Sequence, residues 1–520
     1  MFKKTFFIIL AVFNLQGCVT TEQVADVGAY STNKAKLGLV VLSTTVNTRE
    51  IPQISSVTLE RVNPENKNKS ERHYLINQMS GKSTVTSLFF GGLPSGEYKI
   101  IQVSAPAFGG SKFLDISDSK LTGNFNIVPG TVVDLGRLIL TAVNTKAAVG
   151  RSKLIVNNSN LIDRFFKHEP ELINPNKVTG WIEPHKTIDE VEQLALDYPQ
   201  GISSFAETQD GQVIAGTNLG TTLVRSVGGK WQVLSRNENL HQISALVSYD
   251  IDDSIAIVAD EYGALYRITK NGDIVTLAKG NLPDGRIVFI NSSEQYDHWF
   301  VGLERDGLSE LYSANSLESG LWNLERKVEI GMNVWSGMQG AWYWNRPDGI
   351  GFASSKEDTV SCFDYNKKEW MSHLTPSKRT IISVSTAEGN DSIGVLTSPG
   401  GGVAGIFAKT HISDDCGKSW LEIDSPYTVK FSAPLVVKDK FILETGGVFS
   451  DEGIYASKDN GKSWFKITSE KYLTERLWMS KSNGLFSVTN GAYGFETLEN
   501  SKDLGSTWEL EFSSFIIFNK

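Results

Sequence analysis

The chain has 520 residues, with 50 basic and 59 acidic side chains and a formal net charge of −9. This length exceeds a single ordinary hydrophobic core and predicts several units or a repeat array. The 47 glycines and 15 prolines, with 21% charged residues, are typical of a soluble chain rich in short strands and turns. They exclude a disordered or collagenous protein, and the acidic balance makes nucleic acid a poor partner.

The first eighteen residues have the order of an export signal: two early lysines, an apolar stretch from Phe6 to Phe13, and then Leu15-Gln16-Gly17-Cys18. This segment resembles a bacterial lipoprotein signal, in which the chain is cut before the cysteine and the cysteine is acylated. The resemblance implies a lipidated Cys18. It also implies the outer membrane, because Val19 is not the aspartate that retains such proteins at the inner membrane. An ordinary secretory peptide is the alternative, and the apolar run is shorter than the roughly 20 residues that span a bilayer.

Cleavage before Cys18 would take away Lys3 and Lys4 and leave 48 basic against 59 acidic residues, a net charge of −11. No long basic run marks a patch for anionic lipids. The acyl chains on Cys18 are therefore the predicted contact with the membrane, and residues 19–36 are predicted to form a tether.

Residues 37–145 show short apolar runs separated by turn residues, without a helical stripe, which predicts a small antiparallel β-sandwich. The segment "GGLPSGEY" from Gly91 to Tyr98 is predicted to form a turn. Pro94 presets the backbone there, and Gly96 can adopt the left-handed geometry that residues with side chains resist. Its Leu-Pro-x-Gly-x-Tyr pattern resembles prealbumin-like or carboxypeptidase-regulatory sandwiches. The resemblance implies a spacer or adhesion module without catalytic residues.

Residues 146–200 read as a helical connector. Thr187 and Glu190 form a capping box in front of apolar residues at helical spacing, and Pro199 with Gly201 ends the segment. We expect a short helix that packs against the following domain, and a partner-binding helix is the alternative.

A strand unit recurs over residues 201–520, and a tryptophan marks the same place in most copies. The marked positions are Trp231, Val275, Trp322, Trp370, Trp420, Trp464 and Trp508, at steps of 44, 47, 48, 50, 44 and 44 residues. A period in the forties with about four short strands per copy is the sequence signature of a β-propeller. Division of these 320 residues by seven gives about 46 residues per copy, which predicts seven blades.

Three copies contain the pattern Ser-x-Asp-x-Gly-x-x-Trp. Its residues are Ser413, Asp415, Gly417 and Trp420, then Ser457, Asp459, Gly461 and Trp464, and last Ser501, Asp503, Gly505 and Trp508. The aspartate can accept backbone hydrogens across a turn, the glycine permits a left-handed backbone, and the tryptophan covers the hairpin.

The pattern resembles the Asp-box, or BNR, repeat of sialidases, sortilin-type receptors, xyloglucan-cleaving hydrolases and photosystem assembly factors. The resemblance implies a structural turn between the outer two strands of a blade, away from the central channel. The other four copies keep only parts of the pattern, which a structural joint permits and a distributed catalytic set would not.

The cysteines and histidines give little support for a metal site. Beyond Cys18 only Cys362 and Cys416 remain, without metal-ligand spacing, so they are either free or a single pair, and Cys416 is expected in an exposed turn. The seven histidines are scattered and form no His-x-x-x-His motif. We therefore predict no metal and no cofactor.

An active sialidase would need an arginine triad and an Arg-Ile-Pro signature, whereas the chain offers only Tyr266-Arg267-Ile268-Thr269. A two-carboxylate glycosidase is a further alternative. Its candidate acids are Asp260 with Glu261, Glu304 with Asp306, and Asp451 with Glu452. Each pair borders a glycine turn, so a solvated loop is the competing interpretation.

The string "MNVWSGMQGAWYWNRPDG" places Trp335, Trp342, Tyr343 and Trp344 close together, with Arg346 nearby. Four aromatics so near one another predict a contact platform for a ligand or partner, and packing inside a blade is the alternative for each. Glycine-rich strings at Ser398–Gly405 and Thr445–Gly453 are expected to be loops on one face.

The sequence therefore predicts an all-β outer-membrane lipoprotein, with a β-sandwich, a helical connector and a seven-bladed propeller that binds a protein or glycan without catalysis. A glycoside hydrolase acting on extracellular glycans is the alternative. An envelope assembly factor that holds one membrane protein is a third hypothesis.

Overall fold

The computed structural model describes residues 20–513 with gaps. The gaps are 48–52, 64–69, 81, 108–109, 117–121, 144–145, 153–157, 174–177, 183–188, 294–297, 334–336, 400–406, 428, 431, 438–441, 445–446, 449–453, 469–475, 483 and 491–495. Cys18, Trp335, Asp451, Glu452 and Thr187 of the predicted capping box lie outside the described residues.

The first part of the chain forms two sheets. Their strands are β1 (Thr20–Gln23), β2 (Leu37–Val46), β3 (Ser56–Arg61), β4 (Glu71–Ile76), β5 (Thr86–Pro94), β6 (Gly96–Ala107), β7 (Gly110–Asp115), β8 (Asn124–Ile127), β9 (Val132–Val143), β10 (Lys146–Arg151) and β11 (Val178–Thr179). One sheet has the order β1-β4-β3-β6-β7 with β8 beside β6, and the other has β10-β9-β2-β5 with β11 beside β9. The two sheets share one apolar core, which includes Leu42, Val57, Phe89 and Leu138.

The sheets are mixed, and the prediction of a purely antiparallel sandwich is therefore wrong. β2 pairs in parallel with β9, and β1 pairs in parallel with β4. Between β2 and β9 the chain passes through six other strands, which gives the long crossover that a parallel pair requires. A pattern of alternating residues within one strand does not show which strand is its partner or whether the two run parallel.

Residues 20–32, which we predicted to be part of a tether, are folded onto the sandwich. β1 joins the sheet at Thr20, and helix α1 (Val27–Thr32) buries Val27 and Tyr30. The N-cap Asp26 accepts a hydrogen bond from the backbone N of Ala29 at 2.6 Å, which fixes the start of this helix.

Three further helices belong to the connector: α2 (Ser159–Phe165), α3 (Pro170–Ile173) and α4 (Asp189–Asp197). Ala195 and Leu196 of α4 pack in one cluster with Ile139 of the sandwich and Leu240 of the following domain. Asn47 donates to the carbonyl of Ala195 at 3.1 Å. Helix α4 therefore contacts both parts of the chain.

Seven consecutive four-stranded antiparallel sheets follow, which we call sheets 1 to 7. Sheets 1 to 3 and a small hairpin contain β12 (Ser204–Glu207), β13 (Val213–Gly216), β14 (Thr221–Arg225), β15 (Trp231–Arg236), β16 (Ile243–Ser248), β17 (Ser254–Asp260), β18 (Leu265–Thr269), β19 (Ile274–Thr276), β20 (Arg286–Ser293), β21 (His298–Arg305), β22 (Leu308–Ala314), β23 (Asn323–Glu329), β24 (Gly331–Asn333) and β25 (Gly337–Gln339).

Sheets 4 and 5 contain β26 (Ala341–Arg346), β27 (Gly349–Ser354), β28 (Thr359–Asp364), β29 (Glu369–Leu374), β30 (Thr380–Thr386), β31 (Ile393–Ser398), β32 (Lys409–Ser413) and β33 (Leu421–Ile423), with a short 3-10 helix at Pro376–Lys378. Sheets 6 and 7 and a two-stranded pair contain β34 (Val429–Lys430), β35 (Leu435–Val436), β36 (Ile442–Glu444), β37 (Gly447–Val448), β38 (Ile454–Ser457), β39 (Phe465–Thr468), β40 (Arg476–Met479), β41 (Leu485–Asn490), β42 (Glu496–Ser501) and β43 (Glu509–Ser513). β34 pairs with β37 outside the four-stranded sheets.

Each of these sheets packs against the next through a shared apolar cluster, and sheet 7 shares one with sheet 1. At the junction of the last and first sheets, Glu496 accepts from the backbone N atoms of Gly201 and Ile202, and Arg225 pairs with Glu511. Side-chain contacts therefore bring the ends of the series together in a β-propeller arrangement.

The antiparallel order of every sheet defines two faces. The connections between second and third strands, and those between successive sheets, lie on one face, which we call the upper face. The connections between first and second strands and between third and fourth strands lie on the lower face. The sandwich contacts the upper face of sheets 1 to 3, where Asn218 donates to the carbonyl of Val46 at 3.1 Å and Lys82 pairs with Asp306 at 2.9 Å.

Candidate functional site

The three Ser-x-Asp-x-Gly-x-x-Trp segments form nearly identical turns on the lower face, between the third and fourth strands of sheets 5, 6 and 7. In the middle one, Ser457 Oγ accepts from the N of Gly461 at 2.8 Å, and Asp459 accepts from the N of Ser463 at 2.8 Å. Asn460 and Gly461 have φ angles of 60° and 77°, in the left-handed region. Each part of the pattern therefore closes the turn.

The aspartate carboxylate of each turn accepts hydrogen bonds from residues of the same turn. The hydrogen bonds from the hydroxyl and N of Ser463 and from Ser457 lower the pKa of Asp459 to about 2. In the other two turns, desolvation opposes ionisation, but the equivalent hydrogen bonds outweigh it and lower the pKa values of Asp415 and Asp503. These aspartates are stable hydrogen-bond acceptors and poor proton donors at neutral pH.

The turns also hold neighbouring sheets together. The indole N of Trp420 donates to the carbonyl of Leu374 at 3.1 Å, and Trp464 donates to the carbonyl of Asp424, in each case on the preceding sheet. A Cβ atom at Gly461 would lie 2.6 Å from the Cβ of Ile423, also on the preceding sheet. The repeated pattern therefore works as a joint between sheets.

Two copies with a degraded pattern, those of Trp231 and Trp370, keep the same joint with other partners. Trp231 donates from its indole N to Glu511 of sheet 7 at 2.8 Å, and Trp370 donates to Glu325 of sheet 3 at 3.1 Å. The tryptophan is thus more persistent than the turn, because its contact to the neighbouring sheet does not depend on how the hairpin closes.

Most of the residues of the predicted aromatic platform are used in packing between sheets. Trp344 is 3% exposed in the cluster between sheets 4 and 5, and Trp342 packs against that cluster. Tyr343 stacks on Phe289 with ring centroids 5.4 Å apart and lies between sheets 3 and 4. Alternation along β26 sends these rings to opposite sides of one strand, so they do not form a single surface.

Arg346 is also engaged within the ring. Its Nη2 atom lies 2.8 Å from Asp391 of sheet 5, and its side chain is 12% exposed. This ion pair gives Arg346 a structural contact that joins two neighbouring sheets.

Asp260 and Glu261 lie on the upper face of sheet 2 and are buried against the sandwich. Glu261 accepts from Thr86 Oγ1 at 2.9 Å, from Ser83 Oγ and from the N of Gln242 at 3.3 Å. Burial raises the pKa of Glu261, with Ser83 opposing the rise. This carboxyl fastens the sandwich to the propeller and faces no open channel.

Asp260 holds its own turn. It accepts from the N of Tyr262 at 2.9 Å and lies 3.0 Å from His241 Nδ1. Burial opposes ionisation of Asp260, but the hydrogen bond and charge of His241 outweigh it and lower the pKa. Tyr266 also donates to Asp260, and Arg267 lies on the third strand of sheet 2, away from the inner strand that an arginine triad would use.

A polar cavity of about 250 Å³ lies where the sandwich, α2 and sheet 3 meet. Its side chains are Lys82, Arg164, Phe165, Asp284, Glu304, Arg305 and Asp306. The charges are largely paired across the junction: Arg164 lies 2.6 Å from Asp284, and Lys82 is bound to Asp306. Glu304 pairs with Arg286, so neither Glu304 nor Asp306 is a free carboxylate.

An acidic pair on the lower face was not predicted from the sequence. Glu388, in the connection between β30 and β31, donates from its backbone N to the carbonyl of Met479 at 3.2 Å, and its carboxylate lies 3.5 Å from Lys481. Glu207 of sheet 1 accepts from the N of Ser482 at 3.0 Å beside it. Loops from sheets 5 and 7 therefore meet the inner strand of sheet 1.

Glu388 has an unusual environment for an acid. Burial raises its pKa to about 7, and the nearby Glu207 charge adds to the rise while Lys481 opposes it. Its Oε2 atom is buried without a hydrogen-bond partner. An isolated glutamate in a turn carries no sequence signal for this environment, because the neighbours that create it are distant in the chain.

Cys362 and Cys416 form a disulfide between sheets 4 and 5, with Cα atoms 6.2 Å apart. Cys416 is 3% exposed, so the expectation of an exposed turn residue is wrong. The reason is that the turn between β32 and β33 folds onto β28 and takes this position into the core. Within the described ranges, no group of three His, Cys, Asp or Glu side chains is arranged to hold a metal ion.

No family model and no curated protein matches the chain. Solved propeller structures resemble part of it. They include YCF48 from Cyanidioschyzon merolae, with 14% identity over 56% of this chain and 94% of that one and a TM-score of 0.40. The GH74 xyloglucanase from Xanthomonas campestris has 12% identity over 60% and 54% of the two chains, with a TM-score of 0.42. The Dos1 propeller has 11% identity over 60% and 84%, with a TM-score of 0.37. Similarities this remote assign no activity.

Proposed function

We propose that this chain is an outer-membrane lipoprotein, acylated at Cys18, whose propeller binds a protein or glycan partner without catalysis. The signal-like segment supports export, and so does the Cys362–Cys416 disulfide, since disulfides persist in oxidising compartments such as the bacterial periplasm. No helix within the described residues is both long and apolar enough to cross a membrane.

We further propose that the propeller has seven Asp-box blades and that the β-sandwich is a separate domain docked on it. The seven four-stranded sheets support the blade number. Each marked position of the repeat, from Trp231 to Trp508, lies at or beside the start of a fourth strand. The sandwich has its own apolar core, distinct from the clusters between the propeller sheets.

The partner surface in this proposal is the upper face of sheets 4 to 7, which we call the uncovered half. In the sequence, residues 399–408 separate β31 from β32, and residues 445–453, which include β37, separate β36 from β38. On sheets 1 to 3, under the sandwich, the equivalent connections are only 217–220, 261–264 and 306–307. Connections on a rigid scaffold are the usual carriers of recognition, and the glycine-rich strings Ser398–Gly405 and Thr445–Gly453 occupy these stretches of the sequence, although most of their residues lie outside the described ranges.

The burial of Glu261 carries the proposal of binding without turnover. This acid belongs to one of the three acidic pairs that the sequence offers as catalytic candidates, yet it is 0% exposed and accepts hydrogen bonds from the sandwich. A glycosidase needs two carboxyls that both reach the glycosidic bond. An acid that fastens one domain to another cannot do so.

One observation favours a glycoside hydrolase as a second candidate. Glu388 has a pKa raised to about 7, close to Glu207, and a proton donor beside a second carboxylate is what such an enzyme uses. The side chain of Glu388 is only 11% exposed, so a substrate would have to displace the loop that holds it.

Two assays separate these candidates. We expect the acylated chain to hydrolyse no member of a panel of envelope and extracellular glycans, and to retain a partner in pull-downs from solubilised envelopes. Replacement of residues 399–408 by a four-residue turn should weaken this retention at least tenfold, whereas Lys462→Ala on the lower face should not. Hydrolysis that disappears in Glu388→Gln and Glu207→Gln would instead establish the enzyme.

A further inference from the structure

The distance between the lipid attachment point and the folded sandwich is very short. Cys18 precedes Thr20 by two positions, and Thr20 already pairs with Glu71 in the β1–β4 register. The chain is then held at several further points: the N of Val24 donates to the carbonyl of Tyr74, and Ala25 forms a bridge with Gly92. At most one residue, Val19, lies in the sequence between an acyl group on Cys18 and the first residue of the sheet.

The strand registers show at which end of the sandwich this attachment lies. Thr20 is beside Glu71 at the start of β4, and the end of β3 lies at the same level, since Glu60 pairs with Arg72. Arg61 pairs with Tyr98 near the start of β6, which directly follows the turn at Pro94–Gly96. The anchor, the Pro94–Gly96 turn and the first residues of β2 therefore share one end.

The propeller occupies the opposite end. β2 pairs with β5 from Leu37 with Pro94 to Thr45 with Thr86, so Val46 and Thr86 are a full strand length from the anchored end. Val46 and Thr86 are the residues that meet Asn218 and Glu261 on the upper face of the propeller. Ten residues of extended strand correspond to about 30 Å.

From this arrangement we propose that the sandwich is a rigid spacer whose Pro94–Gly96 end faces the bilayer, and that the upper face of the propeller points back toward the same membrane across a gap of about 30 Å. The inference rests on the proposed acylation of Cys18. It deepens the proposed function, because the uncovered half then faces the membrane that carries the protein.

This geometry favours one class of partner, a protein that stands on the same membrane and fills the gap. Phe407, in the long connection of sheet 5, is 69% exposed on the uncovered half and is available to such a protein. At the anchored end, Val128 is 46% exposed and Lys36, Pro94 and Ser95 are exposed, a mixture of apolar, basic and neutral groups that tolerates contact with a lipid surface.

Energy transfer from three labelled positions to acceptor lipids tests the orientation. The acylated protein is placed in phosphatidylethanolamine–phosphatidylglycerol vesicles with a fluorophore on an unnatural amino acid at position 95, 407 or 462. We expect transfer to be strongest from position 95, weaker by severalfold from position 407 on the upper face, and weakest from position 462 on the lower face. Transfer from position 462 that equals or exceeds that from position 407 would overturn the proposal.

A linker variant tests the rigidity. Ten Gly and Ser residues inserted between Val19 and Thr20 should broaden the fluorescence decays and reduce the differences among the three positions. Decays that are equally broad without the insertion would show that the native attachment is already flexible and contradict the spacer.

Failure of the acylation itself has a separate readout. An intact mass without acyl groups, or membrane partition that Cys18→Ala leaves unchanged, would remove the proposed lipidation. The orientation remains measurable in that case, because a mature chain coupled through the Cys18 thiol to a maleimide lipid repeats the transfer experiment. If energy transfer in this coupled protein did not decrease from position 95 to 407 to 462, the rigid-spacer proposal would be contradicted independently of acylation.

Discussion

The two halves of the upper face are stabilised in different ways. Under the sandwich, sheets 1 to 3 have short connections that are pressed against another domain, and Glu261 is fully buried there. On the uncovered half, residues 399–408 separate β31 from β32 in the sequence of sheet 5, and a disulfide ties sheet 4 to sheet 5. Contacts with the sandwich stabilise one half, whereas a covalent bond stabilises the other.

This difference suggests a division of roles within a single repeated fold. The sheet-to-sheet joints on the lower face repeat in both halves, since Trp231 and Trp370 use the same backward contact as Trp420. The connections on the upper face vary in length between the sheets, from residues 306–307 in sheet 3 to residues 399–408 in sheet 5. Function on a propeller of this kind is therefore expected where the repeat is least regular.

The largest effect should come from loss of the disulfide. It closes a loop with a sequence separation of 54 residues, and the chain-entropy relation assigns such a link about 4 kcal/mol. We expect the double variant Cys362→Ala, Cys416→Ala to lose about this much from the free energy of unfolding of the propeller, measured by denaturant titration.

Reduction of the disulfide provides the matched control for that prediction. A reductant should destabilise the natural chain to a similar extent and leave the double variant unaffected. Hydrogen exchange should rise most in sheets 4 and 5 and least under the sandwich. A uniform rise across all seven sheets would mean that the two halves do not differ in the way we describe.

A somewhat smaller effect is expected from Glu261→Ala in the covered half. Removal of this carboxyl leaves Ser83, Thr86 and the N of Gln242 without their acceptor in a buried interface. The loss should cost about 3 kcal/mol, because buried polar groups without partners are expensive. The sandwich should then detach, with a larger radius of gyration in X-ray scattering and faster proteolysis of the connector.

Asp306→Ala is the control at the same interface. Asp306 also pairs with the sandwich, through Lys82, but its side chain is 64% exposed. Exposed ion pairs contribute at most about 1 kcal/mol, so this variant should remain compact. Equal loosening by both substitutions would show that burial is not what makes Glu261 the anchor.

The repeated fold was accessible from the sequence because its signals are local. The Ser-x-Asp-x-Gly-x-x-Trp turns close within eight residues, and each turn repeats the same hydrogen bonds. The strand alternation of the sandwich was also visible. The parallel pairing of β2 with β9 was not, because partners far apart in the chain leave no mark on either strand.

The candidate sites were less predictable for the same reason. Glu261 looked like a solvated loop residue or an acid at a channel, and its real partner, Ser83, is 178 positions away. Trp344 and Tyr343 were close in sequence, but β26 directs them into different clusters. The identity of a site thus depended on docking and on strand orientation, neither of which is encoded in a short stretch.

The smallest of the three effects concerns Glu388, where a loop from the uncovered half meets sheet 1. Its folded-state pKa of about 7 lies above the usual 4.5. Between these two pH values the folded protein therefore retains a proton on Glu388 that the unfolded chain releases. Its contribution is most favourable below pH 4.5 and is lost progressively as the pH rises through 7. Glu388→Gln mimics the protonated acid and should therefore gain stability relative to the natural chain with rising pH.

We expect this relative gain to be about 2 kcal/mol between pH 5 and pH 8, because part of the shift already lies below pH 5. Denaturant titrations of both proteins at several pH values measure it. Glu509→Gln, an acid of sheet 7 whose side chain is 73% exposed, should leave the pH profile unchanged. Parallel profiles for the natural chain and Glu388→Gln would mean that Glu388 is ionised without penalty, and that the loop of sheet 5 does not bury it against sheets 7 and 1.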